Sequence, residues 1–87
     1  MYIIAVYDVN EKRVGKALRL CRRYLTWIQN SVFEGELSGV QLQEFKLEMG
    51  QLLVKSEDSL IIFTSRNPKW MDKEIMGVEK NSVDNFL

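Results

Sequence analysis

Histidine does not occur in this 87-residue chain, and cysteine and proline occur once each, as Cys21 and Pro68. The missing histidine excludes imidazole-activated nucleophiles, Cys-His dyads and imidazole metal sites together. The lone cysteine excludes an internal disulfide and a CxxC zinc pair. No apolar run approaches the roughly 20 residues a helix needs to span a bilayer, so no membrane partner is expected. The N-terminus lacks the basic flank and long apolar stretch of a signal peptide, which makes the cytoplasm the expected compartment. There is no glycine-rich phosphate loop, repeat, low-complexity segment or linker. Any catalysis must therefore rest on carboxylates, metal-activated water, lysine, tyrosine or the backbone.

What the chain does hold is unevenly distributed. Its net charge is zero, but residues 1–30 carry a balance of +4 and residues 31–60 a balance of −4. Segregation of sign is compatible with one basic face for a polyanion and an acidic face elsewhere. The length makes one domain, residues 1–87, with a single modest core. Two Trp, three Tyr and four Phe are a large aromatic load for that core. The closing Asn85-Phe86-Leu87 is apolar where a solvated terminus needs no such residues. Both features make a homodimer the expected state, with strand addition across subunits covering an otherwise bare sheet edge.

The most telling stretch is the first. Met1-Tyr2-Ile3-Ile4-Ala5-Val6-Tyr7 runs without a polar residue into Asp8. Such a run reads as a strand, residues 2–8, covered on both faces and lying mid-sheet. A helix follows over residues 11–24, with Asn10 as N-cap. Val14, Ala17, Leu18, Cys21 and Leu25 recur at helical spacing and mark its buried face. Cys21 on that face reads as an inert small hydrophobe. Gly15 costs such a helix about 1 kcal/mol relative to alanine, with no reason for it visible in the sequence.

One strand is expected within residues 27–36. Ser38 and Gln41 form a capping box that opens a second helix, whose apolar stripe is Leu42, Phe45, Met49, Leu52 and Leu53. Residues 59–65 enclose Leu60-Ile61-Ile62-Phe63 and read as a second central strand. Asn67-Pro68 marks a turn, and residues 70–76 can supply a fourth strand. The expected class is α+β, a ferredoxin-like sandwich with an antiparallel sheet and two helices on one face. The order read here, β-α-β-α-β-β, fits that fold if one hairpin strand is short or displaced.

Two features carry chemistry. Asp8 closes the first strand, where a carboxylate is either a turn-former bonding nearby amides or a site residue. Beside it, Lys12, Lys16, Arg19 and Arg23 follow helical spacing on the face opposite the apolar one, with no acid among them. Most such stripes are simply solvated, but typical solvated faces mix signs. A carboxylate next to a basic helix suggests a metal and a phosphate backbone. Contacts of this kind position a duplex without reading its bases. Arg13 and Arg22 flank the stripe. Phe33, Trp27 and Trp70 read as core or interface aromatics ahead of base-stacking platforms. Glu34 and Glu36 share one side of a strand, as solvated acids, a contact for a basic partner, or a second metal site.

These residues resemble a known family, the CRISPR-associated protein numbered two, the small subunit of the CRISPR adaptation machinery. The resemblance covers essentially the whole chain in order: the strand ending in Asp8, the basic helix 14–24, Trp27-Ile28-Gln29-Asn30-Ser31-Val32-Phe33-Glu34-Gly35-Glu36-Leu37, the strand 60–63, and Asn85-Phe86-Leu87. Its most specific part is the Gln-Asn-Ser-Val-Phe-Glu-Gly stretch. It implies a ferredoxin-like homodimer whose C-terminal strand adds to the partner subunit's sheet. It also implies that Asp8 meets its two-fold mate to hold Mg²⁺, or Mn²⁺, and that Tyr7 and Phe33 belong to the nuclease site.

The activity so implied is metal-dependent cleavage of RNA or double-stranded DNA, together with bridging of the larger integrase subunit during spacer acquisition. One or two carboxylates with water and phosphate oxygens are a common Mg²⁺ environment, so one Asp per subunit suffices across a two-fold axis. A non-catalytic scaffold that holds DNA and docks the integrase subunit is the competing reading. Outside the family, a metal-free ferredoxin-like regulatory or RNA-binding domain remains, disfavoured by the absence of RNA-reading aromatic motifs.

Overall fold

A computed structural model describes residues 1–67, 74–78 and 80. Its elements run β1 (Tyr2–Asp8), α1 (Glu11–Tyr24), β2 (Thr26–Gln29), β3 (Val32–Glu36), α2 (Gly39–Leu52) and β4 (Ser59–Ser65). The strands form one four-stranded sheet in the order β2-β3-β1-β4, every neighbouring pair antiparallel. This is the βαββαβ ferredoxin-like sandwich, and both helices pack on the same face of the sheet.

The stretch 27–36 is therefore a hairpin and not the single strand expected. Its turn is only Asn30-Ser31, two polar residues that also fit the alternation of a half-exposed strand. Asn30 adopts φ 46°, a left-handed conformation that asparagine tolerates better than most residues. The Trp27 indole N–H donates to the Asn30 carbonyl at 2.9 Å and closes the turn. With this hairpin counted, no displaced strand is needed to complete the fold. Of the strand expected at 70–76, residues 74–76 are not in a strand, and 70–73 lie outside the described residues.

β1 lies between β3 and β4, mid-sheet as its apolar run implies. Its side chains alternate. Ile3, Ala5 and Tyr7 are buried under the helices, whereas Tyr2, Ile4 and Val6 are half-buried on the other face. The covered face joins Phe33 of β3 with Ala17, Cys21, Leu42, Phe45 and Met49 of the helices in one core. Gly35 admits this packing: a β-carbon there would lie 3.1 Å from Leu25 Cδ2. β4 departs from expectation, since it forms a sheet edge among the described residues. Leu60 and Ile62 pack against the core, but Ile61 and Phe63 are 52% and 53% exposed. An unbroken apolar run signals two covered faces, and among the described residues the helices cover only one of them.

The helix ends behave as their sequences dictate. The Asn10 side chain accepts from the Lys12 amide at 3.0 Å. Ser38 and Gln41 exchange both bonds of the capping box, at 3.1 and 2.9 Å. Val14 is the exception on the expected buried face of α1, lying at its exposed rim.

Candidate active site and nucleic-acid face

Asp8 is the last residue of β1, exposed, and paired in register with Ser59 at the start of β4. The two-residue period of the strand places it on the same face as Tyr2, Ile4 and Val6, away from the helices. Register continues that face across the sheet: Val6 lies between Val32 and Ile61, and Ile4 between Glu34 and Phe63. Asp8 thus stands at one end of an open, largely apolar sheet face. Among the described residues no three acidic or thiol side chains converge to form a metal cage.

The turn that follows Asp8 is held by a carboxylate that sequence reasoning treated only as negative charge. The Asp58 side chain has no solvent exposure. It accepts from the Asn10 amide at 2.8 Å, the Val54 amide at 2.8 Å, and Arg13 Nε and Nη2 at 2.7 and 3.1 Å. The Arg13 bonds first, and the two amides after them, hold its carboxyl far below the usual range despite the opposing effect of burial. Glu57 adds a 3.4 Å contact to the same guanidinium. Arg13 therefore leaves the exposed stripe it flanks in sequence and locks the β1–α1 turn to the β4 approach. The only signal in the sequence is an acidic pair ahead of an apolar strand.

Tyr7 and Phe33 are not brought to Asp8. Both are buried on the helix side, with ring centroids 6.0 Å apart and planes 25° from parallel. Burial raises the Tyr7 phenol above its ordinary pKa. Their rings pack beneath the strand whose end carries Asp8, on the opposite face of the sheet.

Lys12, Lys16, Arg19 and Arg23 are all exposed along α1. No carboxylate among the described residues forms an ion pair with the first three. Arg23 differs: its Nη2 lies 3.2 Å from Glu48 Oε1, and its guanidinium 5.9 Å from the centre of the Tyr24 ring. The stripe is acid-free within α1, but α2 brings an acid to its last member. Glu48 also accepts from the Tyr24 hydroxyl at 2.6 Å. That bond raises the Tyr24 phenol and lowers the Glu48 carboxyl.

Of the acids on alternate β3 positions, Glu34 accepts from the Tyr2 hydroxyl across the open face. Burial, and then this bond, push the Tyr2 phenol up to about 12. A cleft of about 390 Å³ lies on the same face, lined by Ile4, Ile28 and Val32 together with Ile75 and Met76. Among the described residues no helix is long and apolar enough to cross a membrane.

Residues 1–73 match the model of a family described as CRISPR associated protein Cas2. The CRISPR-associated endoribonuclease Cas2 of Thermotoga maritima is 48% identical over 87 residues, covering 100% of this chain and 99% of that protein. The CRISPR-associated endoribonuclease Cas2 of Fusobacterium nucleatum is 47% identical over 92 residues, covering 100% of this chain and 87% of the relative. A crystal structure of a Cas2 protein at 44% identity superposes with a TM-score of 0.81, covering 95% of this chain and 93% of that one. Streptococcus pyogenes Cas2, at 25% identity, gives a TM-score of 0.73 over 87% of this chain and 100% of its own.

Proposed function

The chain belongs to the CRISPR associated protein Cas2 family, and from that premise we propose that it is a homodimeric, metal-dependent endonuclease. Its substrate is a nucleic-acid phosphodiester, in RNA or double-stranded DNA. The relatives' names as endoribonucleases support the reaction class. The observation that carries the dimeric site is the position of Asp8. One exposed carboxylate ends a central strand on the open apolar face, and no group of three or more metal-ligating side chains gathers there among the described residues. A divalent cation is poorly served by one such donor. Two copies related by a two-fold axis supply two, and carboxylate oxygens suit hard Mg²⁺ or Mn²⁺.

On this reading Asp8 and its mate hold the ion, which supplies positive charge against the charge developing on the phosphate and activates water. The remaining work belongs to the protein. Lys12, Lys16 and Arg19 neutralise backbone phosphates and hold the strand without reading its sequence. The Asp58–Arg13 lock keeps the β1–α1 turn, and so the end of β1, in place.

A second reading is favoured by the α1 cations Lys12, Lys16 and Arg19, which form no ion pair among the described residues. In it the dimer only holds DNA and bridges copies of the larger integrase subunit during spacer acquisition. Asp8→Asn separates the two. Asparagine keeps the size but removes the charge that holds the cation, so cleavage should fall by more than about 100-fold, since the metal contributes several kcal/mol. Nucleic-acid binding should persist, and wild-type cleavage should require Mg²⁺ or Mn²⁺ and stop with chelator. A highly purified wild type that never cuts RNA or DNA, yet binds the integrase subunit, gives the scaffold reading. Undiminished cleavage by Asp8→Asn removes the Asp8 site altogether.

A further inference from the structure

Arg23 closes the basic stripe of α1, yet its charge is already met. Its guanidinium lies against Glu48 at 3.2 Å and near the Tyr24 ring. Glu48 is fixed in turn: Oε1 takes Arg23, and Oε2 takes the Tyr24 hydroxyl at 2.6 Å. Its side chain is 34% exposed, against 64% for Arg23, so the acid is the anchored member of the pair. Lys12, Lys16 and Arg19 have no such counter-charge among the described residues.

We propose that Glu48 is a built-in counter-charge that takes Arg23 out of nucleic-acid binding and leaves phosphate contact to the end of α1 nearest Asp8. The proposal rests on the reading of α1 as the phosphate-binding face. An exposed ion pair contributes little to stability, but stability is not what this one changes. A phosphate approaching Arg23 also approaches a carboxylate well within the Debye length of about 8 Å at physiological salt. The local charge it meets is near zero. Arg23 keeps donors pointing elsewhere, but using them sets two anions side by side. A backbone laid along α1 therefore gains counterion release from Lys12, Lys16 and Arg19 and almost none from Arg23, which biases it toward the turn that bears Asp8.

The test is the salt dependence of binding to a mixed-sequence DNA duplex, measured by anisotropy on the full chain in chelator, with a melting curve for each variant. Lys16→Ala should flatten the plot of log K against log salt by about 0.9 per chain. Arg23→Ala should leave the slope unchanged. Glu48→Gln keeps an acceptor for Tyr24 and should steepen the slope by about 0.9 per chain. Adding Arg23→Ala to Glu48→Gln should restore the wild-type slope. If Arg23→Ala flattens the slope as much as Lys16→Ala, or Glu48→Gln changes nothing, Glu48 is only a tie between α1 and α2 and the proposal is wrong. If Lys12→Ala, Lys16→Ala and Arg19→Ala all leave binding unaltered, α1 is not the phosphate face, and both readings fall together.

Discussion

Asp58 shows how much of this site rests on a residue that does no chemistry. A carboxylate with no exposure, two backbone amides and a bidentate arginine is bound far more tightly in its charged form than in the unfolded chain. Because its folded pKa is depressed, its contribution is present above the ordinary aspartate range, about 3.9, and is lost as pH falls below it. Asp58→Asn should lower the melting temperature at neutral pH and flatten its decline between about pH 4 and the acid limit. Equal acid sensitivity in the two proteins would show that other carboxylates set that limit. Gly15 gives the opposite case. A β-carbon there would meet nothing closer than the Arg19 guanidinium at 3.9 Å, so neither space nor a turn requires glycine. Gly15→Ala should stabilise the protein by about 0.5–1 kcal/mol in denaturant titration. A loss would reveal a constraint outside the described residues.

At the level of elements, the sequence was legible where periodicity is long and ends are capped. Both helices begin at the expected caps, Asn10 and Ser38, and β1 and β4 occupy the spans read for them. The misreadings share a cause. The turn between Gln29 and Val32 is only two residues long, and its polar Asn30-Ser31 reads as part of one half-exposed strand, so two strands read as one. An apolar run reports covered faces, not sheet position, so β4 read as central although it lies at an edge among the described residues. Asp8 stood out because a lone charge interrupted an apolar run, whereas Asp58 lay in an ordinary acidic segment and its buried role depends on Arg13, 45 residues away. Tyr7 and Phe33 test the boundary between site and core. Both belong by burial to the helix-side core, so Phe33→Ala should cost about 3–5 kcal/mol. Tyr7→Phe keeps the ring stack and should leave both melting and cleavage nearly unchanged. Loss of cleavage in a normally folded Tyr7→Phe protein would assign the hydroxyl a part in the reaction.

The described residues present two unlike surfaces, a helix layer bearing the basic stripe and a sheet face, away from the helices, bearing Asp8. Ile61 and Phe63 stand half-exposed beside Val6 and Ile4 on that face, a hydrophobic area a stable monomer has reason to cover. On the dimeric reading the partner covers it, and the same contact brings the two Asp8 carboxylates together. Association and metal-dependent cleavage are then one property. Wild type should sediment at twice the chain mass at micromolar concentration. Replacing Ile61 and Phe63 with Asp should leave the helix-side core folded, since neither side chain enters it. Each buried apolar side chain contributes about 1.5–3 kcal/mol, and each is lost twice across a two-fold interface, so the dissociation constant should rise by more than about 100-fold. The resulting monomer should lose cleavage although Asp8 is intact, and regain it at protein concentrations that restore the dimer. A doubly substituted protein that still dimerises places the interface elsewhere, and a monomer that still cuts shows that one Asp8 is enough.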